Sequence, residues 1–394
     1  MSEKDAPTNK TALLTPPEIR ETIYTHVTTP MDIEYVGGVQ QELREARWRA
    51  SATETFGDYV RTVREGFEFS PWHHEMLCEA LDNWAHRRPG WTRLAIFMPP
   101  RHSKTELIGR LLPGYLCGLH AHVSRKIGII YATHTEKPLA QGVNRAAQEN
   151  MNLPIHRRVF PDIKLPGADG RDEKYDCNAT NWQLLRRNGA VWGVGANYVC
   201  RGVGSGVAGY DGHFVIADDL IPRRAEAESP VYRESVWSWW ADDLLDRVQP
   251  NGCLLLTMTP WHLDDPRGRL LEQIKRNDNA DGWKVITLPA IMDRVALDDP
   301  DRTVYMPFDD PRKEGEALWP GDGDYAWPVE KLEAKRRGKI KGESGENPYD
   351  WEAKFQCRPL SPTSRKIWPQ WFRWCRYDGE GEEKGFREVK AAAA

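Results

Sequence analysis

Residues 94–106 read LAIFMPPRHSKTE, and the fold is decided by this stretch. Leu94 to Phe97 is a short apolar run suited to a buried strand. Pro99 and Pro100 end it, because proline brings no N–H to a sheet ladder and fixes its own φ. Arg101, His102, Ser103, Lys104 and Thr105 then turn into a helix expected from about Lys104 to Cys117. Strand, short polar turn, Lys-Thr and helix form the layout of a phosphate-binding (Walker A) loop. In such a loop backbone N–H groups at the helix N-terminus face the phosphates, the lysine reaches the β/γ oxygens, and the hydroxyl holds Mg²⁺. The usual pattern is G-x-x-x-x-G-K-S/T, and Met98 and Ser103 stand where its two glycines would. On the loop alone, a nucleotide site and a plain strand–turn–helix with an exposed lysine are equally well served.

A second stretch tips the balance. Residues 213–221 read HFVIADDLI: the apolar run Phe214 to Ala217 stops at two adjacent carboxylates, Asp218 and Asp219. This is the pattern of a Walker B strand. Asp218 is placed to hold the Mg²⁺ shell, and Asp219 to orient or deprotonate the attacking water. A third run, Gly252 to His262 (GCLLLTMTPWH), ends in Thr257, Thr259, Trp261 and His262. Ligands of open α/β sheets bind beyond the carboxyl ends of the strands, so three polar strand ends are expected to converge on one site.

With these motifs in order, the chain resembles the large terminase subunit, the DNA-packaging ATPase of tailed double-stranded DNA bacteriophages. The resemblance is carried by PPRHSKTE (Pro99 to Glu106), IADDLI (Ile216 to Ile221), TPWHLDD (Thr259 to Asp265), GRLLEQ (Gly268 to Gln273), ALWP (Ala317 to Pro320) and FQCRPLSP (Phe355 to Pro362), and spans about Phe69 to Tyr377. It implies a P-loop NTPase fold of the ASCE type, with a mostly parallel, doubly wound sheet and a small lid. It also implies ATP and Mg²⁺ as ligands. The implied ATP-binding residues are Arg101, His102, Ser103, Lys104 and Thr105, with Trp72 and His74 beside the adenine. Thr105 and Asp218 would hold the metal, Asp219 would be catalytic, and Arg101 would be an in-cis arginine on the γ-phosphate. Thr259, Trp261 and His262 would relay nucleotide state to the lid. Double-stranded DNA, a portal protein and a small terminase subunit are the implied partners. A homo-oligomeric ring on the portal, with a monomer in isolation, and the host cytoplasm complete the expectation. Two departures stand out: Pro260 replaces the arginine usual in the coupling motif, and no framed carboxylate cluster for a nuclease follows. Asp378, Glu380, Glu382 and Glu383 lie on a Gly/Glu-rich segment, so no nuclease activity is expected, whether the chain is truncated or its nuclease is encoded separately.

Working outward, 394 residues suit a core with appended parts, divided as an N-terminal helical arm (1–66), an ATPase core (67–292), a lid (293–362) and a tail (363–394). No run of 18 apolar residues and no secretory signal occurs, so a membrane span is not expected. Seven scattered cysteines without a C-x-x-C pair argue against a zinc site or a disulfide framework. The net charge of −4 is compatible with DNA binding only if basic residues cluster. Arg336, Arg337, Lys339 and Lys341 are the candidates for backbone contact, with a second basic group at Arg365, Lys366, Arg373 and Arg376 among tryptophans. Thr15-Pro16-Pro17-Glu18 reads as a helix start. Arg201 is either a phosphate or DNA contact or an exposed loop arginine, and Glu226 or Glu228 is a substitute for Asp219. Two competing functions remain: a helicase of the two-lobe type, for which the residues after Pro289 are too few and irregular, and a non-catalytic DNA- or capsid-adaptor protein with a decayed nucleotide site, which the missing glycines favour.

Overall fold

The computed structural model describes residues 30–67, 69, 71–167, 174–294, 298, 306–337 and 347–360, with backbone alone at 30–37, 375–376 and 387–388. The helix start at Thr15, Lys339, Lys341, Arg365, Lys366, Arg373 and the acidic group from Asp378 to Glu383 lie outside the described residues, and of Arg376 only the backbone is described. Two compact units divide between Glu54 and Thr55. In the first, the described element is a helix, α1 (Pro30–Ala52).

The second unit is built on an eight-stranded sheet. Its strands are β1 (Arg93–Phe97), β2 (Ile127–Thr133), β3 (Ile163–Lys164), β4 (Asn181–Asn188), β5 (Val191–Gly202), β6 (Gly212–Asp218), β7 (Val248–Met258) and β8 (Lys284–Thr287), in the order β3-β4-β5-β2-β6-β7-β1-β8. The six strands from β5 to β8 run parallel, and β4 and β3 add an antiparallel hairpin edge. Central strands covered on both faces must be apolar throughout. Accordingly every residue of β2 is buried, as is the stretch from Phe214 to Asp218. Phe97, Leu254, Leu256, Met258, Trp240, Leu270 and Ile274 join one core on a face of this sheet. Each such side chain contributes about 1.5–3 kcal/mol on burial.

The order places β7 between the loop strand β1 and the acidic strand β6. Register pairs Phe97 with Met258 and Asp218 with Thr257, so all three strands end at one level. The polar ends predicted to converge therefore do.

The helix after the loop departs from the expected continuous α-helix. Glu106–Leu111 is a π-helical turn that leads into α4 (Leu112–His120), and the Leu112 N–H reaches back five residues to the Leu107 carbonyl. Pro113, with no N–H, can donate neither to Gly109 in the α pattern nor to Ile108 in the π pattern, so the wide turn goes no further. Ahead of β1 lie α2 (Phe56–Val63), capped by Thr55 accepting from the Asp58 N–H, and α3 (Trp72–Ala85), on which α2 packs. Beyond β8, Ala290, Ala317, Trp319, Ala326, Trp327, Leu332, Trp351 and Phe355 form a small separate core around α6 (Val329–Arg336). It is tied to α3 by His73 Nδ1 donating to the Leu318 carbonyl at 3.0 Å, and to α5 (Arg224–Glu228) by an Arg224–Asp350 ion pair.

Candidate active site

The turn after β1 is strained. Arg101 and Ser103 have φ of +62° and +66°, in the left-handed region that costs a side-chain-bearing residue about 1–2 kcal/mol. The conformation that glycine would adopt is therefore kept by serine. His102, between them, is fully buried and donates from Nδ1 to the Pro100 carbonyl at 2.8 Å, which closes the turn.

Lys104 is the centre of the site. Its ammonium is buried, 3.2 Å from Asp218 Oδ1 and 2.6 Å from Asp219 Oδ1. Burial works against the charged form, but the two carboxylates outweigh it and hold the Lys104 pKa above the ordinary lysine value. Burial also raises the pKa of Asp218, and the nearby Asp219 charge adds to this, opposed by Lys104 and by the Tyr131 hydroxyl. Lys104 Nζ and Asp218 Oδ1 are both buried and meet within this cluster as a charge contact, with Asp219 as the second anion. Taking these charges out of water is costly, so a cluster of this kind suits an incoming phosphate oxygen and a divalent cation. The donor set, a hydroxyl at Thr105 and a carboxylate at Asp218, is the all-oxygen kind that Mg²⁺ takes.

Asp219 is held by its surroundings rather than by its own preference. Its φ is +47°, its N–H donates to the Thr257 carbonyl at 2.9 Å, and its carbonyl accepts from the His134 backbone N–H at 3.2 Å. Its Oδ1 accepts from the Thr259 N–H at 2.8 Å. The first residue of the TPWHLDD motif thus touches the second acid directly. Asp265 closes the rest of that motif by accepting from the N–H groups of Trp261, His262 and Gly268. The Trp261 ring faces the Lys354 ammonium at 5.5 Å, a contact with the lid. Burial lowers the His262 pKa, and its Nδ1 accepts from the Asp264 N–H at 3.0 Å.

A cavity of about 810 Å³ opens beside the loop, lined by Arg101, Ser103 and His74 together with Phe67, Arg64, Trp319, Tyr325, Trp327 and Lys331. Arg101 is exposed at this cavity. His74 lines it as expected, whereas Trp72 is not among the lining residues. His102 packs instead into a buried group of rings, 5.9 Å from His73 and 6.1 Å from Trp319 between centroids. Its pKa is pushed down to about 4, chiefly by burial. Glu226, the substitute acid, is bound bidentately by Arg223, and Glu228 pairs with Arg224. Arg201 hydrogen-bonds Asn181 and Tyr210 and braces the glycine-rich loop. Arg336 and Arg337 both pair with Glu333.

Sequence reasoning missed Tyr131, whose hydroxyl donates to Asp218 Oδ2 at 2.6 Å, and it missed the lid aromatics of the cavity. Trp319 and Trp327 sit more than 200 residues from the loop in a stretch without periodicity, so only ALWP offered a signal.

No family model matches the chain, and no curated protein does. Among solved structures it is similar to the large terminase ATPase domain of a Thermus phage, at 12% identity and a TM-score of 0.35, over 50% of this chain and 76% of that one. It is similar to the large terminase of bacteriophage HK97, at 14% identity and a TM-score of 0.36, over 60% of this chain and 44% of that one. A large terminase from a thermophilic bacteriophage in complex with ADP follows at 12% identity and a TM-score of 0.32, over 53% and 43%. The chain spans less than half the length of the last two. Likeness of this degree does not carry a functional reading, which rests on the site's own geometry.

Proposed function

We propose that the chain is a Mg²⁺-dependent ATP hydrolase whose turnover drives double-stranded DNA into a viral procapsid. The single observation that supports the hydrolase is the burial of Lys104 between Asp218 and Asp219 at the foot of a glycine-like turn. In this reading Lys104 gives up its carboxylate contacts for phosphate oxygens, and the amides of the turn hold the remaining phosphate charge. Mg²⁺, held by Thr105 and Asp218, would supply charge neutralisation between the β- and γ-phosphates. Asp219, freed of the ammonium, accepts a hydrogen bond from the attacking water. Arg101, exposed at the cavity, swings onto the γ-phosphate.

The DNA-moving part of the reading is supported by the Thr259–Asp219 hydrogen bond and the Trp261–Lys354 contact, which join the hydrolytic acid to the lid. A portal protein, a small terminase subunit and a ring of copies on the portal, in the host cytoplasm, belong to the same proposal. Arg336 and Arg337 are weak candidates for the DNA contact, because Glu333 already offsets their charge.

The test is Mg²⁺-dependent ATPase of the unaltered chain and of Asp219→Asn. Loss of general-base assistance costs about 10²–10⁴-fold in turnover. Undiminished turnover in the variant removes Asp219 from the mechanism. Absence of any ATPase from the unaltered chain, with DNA and portal-bearing procapsids present, removes the proposal.

A further inference from the structure

Tyr131 lies on β2, which separates β5 from the acidic strand β6. In register it pairs with Ile216, two residues before Asp218, and Thr133 pairs with Asp218 itself. Residues two apart share a face of a strand, so Tyr131 and Asp218 are diagonal neighbours on one face, a span that an aromatic side chain can bridge. The bridge is made: the Tyr131 hydroxyl donates to Asp218 Oδ2 at 2.6 Å, with both side chains buried. The loop helix leaves room for it. A Cβ placed on Gly109 would stand 3.2 Å from the Tyr131 hydroxyl and 3.4 Å from Thr105 Cγ2. The tyrosine oxygen therefore lies beside the turn of helix that carries the other proposed metal ligand.

From this geometry we propose that Tyr131 is a positioning residue for the metal site: its hydroxyl occupies Asp218 Oδ2, fixes the carboxylate plane and leaves Oδ1 as the oxygen offered to a divalent cation. The inference rests on the hydrolase reading. Asp218 Oδ1 faces only the Lys104 ammonium, at 3.2 Å, a cation that a phosphate and a divalent metal would draw away together. Groups that orient a metal ligand from behind are commonly worth about 10–100-fold in metal affinity.

The experiment compares the full chain with Tyr131→Phe, which keeps the ring and removes only the hydroxyl. Mn²⁺ binding is followed by electron paramagnetic resonance with saturating ADP, and nucleotide binding is followed separately with a fluorescent ADP in excess chelator. The expected result is a loss of about 10–100-fold in Mn²⁺ affinity, with metal-free nucleotide affinity within twofold of the unaltered chain. In an Asp218→Asn background, where the carboxylate to be oriented is gone, Tyr131→Phe is expected to add no further loss. Mn²⁺ affinity unchanged in Tyr131→Phe, or an equal further loss in the Asp218→Asn background, overturns the proposal while leaving the hydrolase reading intact. Failure of the unaltered chain to bind Mn²⁺ and ADP together overturns both. A parallel loss of metal-free nucleotide binding assigns Tyr131 to general support of the sheet and also overturns the proposal.

Discussion

Replacing Lys104 by methionine removes the one cation between two carboxylates, 2.6 Å and 3.2 Å away, while keeping an unbranched side chain of similar length. Asp218 is buried and cannot recover water, so its charge is left uncompensated apart from the Tyr131 hydrogen bond. Removing one member of a buried ion pair costs about 3–5 kcal/mol. For a large unit each kcal/mol moves the melting midpoint by roughly 2 °C, so the nucleotide-free variant should melt about 6–10 °C lower. Asp219→Asn alone should shift stability by about 1 kcal/mol or less. It gives up attraction to Lys104 and repulsion from Asp218 together, and asparagine tolerates the left-handed backbone at this position. The informative variant is the double one. Once Asp219 is neutral, loss of Lys104 strands one carboxylate rather than two, so Lys104→Met with Asp219→Asn should be more stable than Lys104→Met alone. Contacting charges of this kind typically show interaction energies of about 0.5–3 kcal/mol in such cycles. Thermal melts of the four proteins without nucleotide measure this. Strict additivity would refute the claim that the three groups form one electrostatic unit, and with it the geometric basis of the site.

Two further outcomes follow from the same structure. Ser103→Gly should relieve about 1–2 kcal/mol of left-handed strain against about 0.5–1 kcal/mol of added unfolded-state freedom, for a small net gain in melting temperature with nucleotide affinity retained; a clear loss of stability would show that the serine side chain holds the turn. His156, buried, with Nδ1 2.9 Å from the Tyr59 hydroxyl, has its pKa pushed down to about 3, first by burial and then by Arg157. It is neutral in the fold but binds a proton in the unfolded chain below about pH 6.5, so stability is full above that pH and falls as the medium is acidified. His156→Gln should lower the slope of unfolding free energy against pH by about 1.4 kcal/mol per unit between roughly pH 6 and 4, measured by urea unfolding; an unchanged slope refutes the buried-neutral assignment.

The strands were legible because burial on both faces demands unbroken apolar runs, and the candidate site was legible because polar residues, Lys104, Asp218 and Thr259 among them, stand at or beyond the ends of those runs. What escaped reading has a common cause. Tyr131 looks, in IGIIYAT, like one more apolar residue of a buried strand, and only the register with β6 shows that its hydroxyl meets Asp218. Trp319, Tyr325 and Trp327 line the cavity from a distant segment, and no local pattern reports a contact across such a separation. His102 looked like a ligand because it sits in the loop; its ring instead seals the turn from below. The α-helix expected from Lys104 opens into a π turn over Glu106–Leu111, just ahead of Pro113.

The loop's missing glycines are the strongest sequence argument for a decayed site, and the backbone answers it. Arg101, Ser103 and Asp219 all hold positive φ without being glycine, two on the loop and one at the acid facing it. Strain of about 1–3 kcal/mol at each persists only where surrounding contacts over-determine it. Those contacts are specific: His102 bonding Pro100 beneath the turn, and Thr257, Thr259 and His134 all bonding Asp219. A turn that had merely lost its glycines would relax into the right-handed region and withdraw Lys104 from the two acids. Instead the strained turn and the strained acid meet across one buried ammonium. The glycine signature is therefore absent from the sequence while the conformation it usually marks is present, which favours a working phosphate site over a remnant of one.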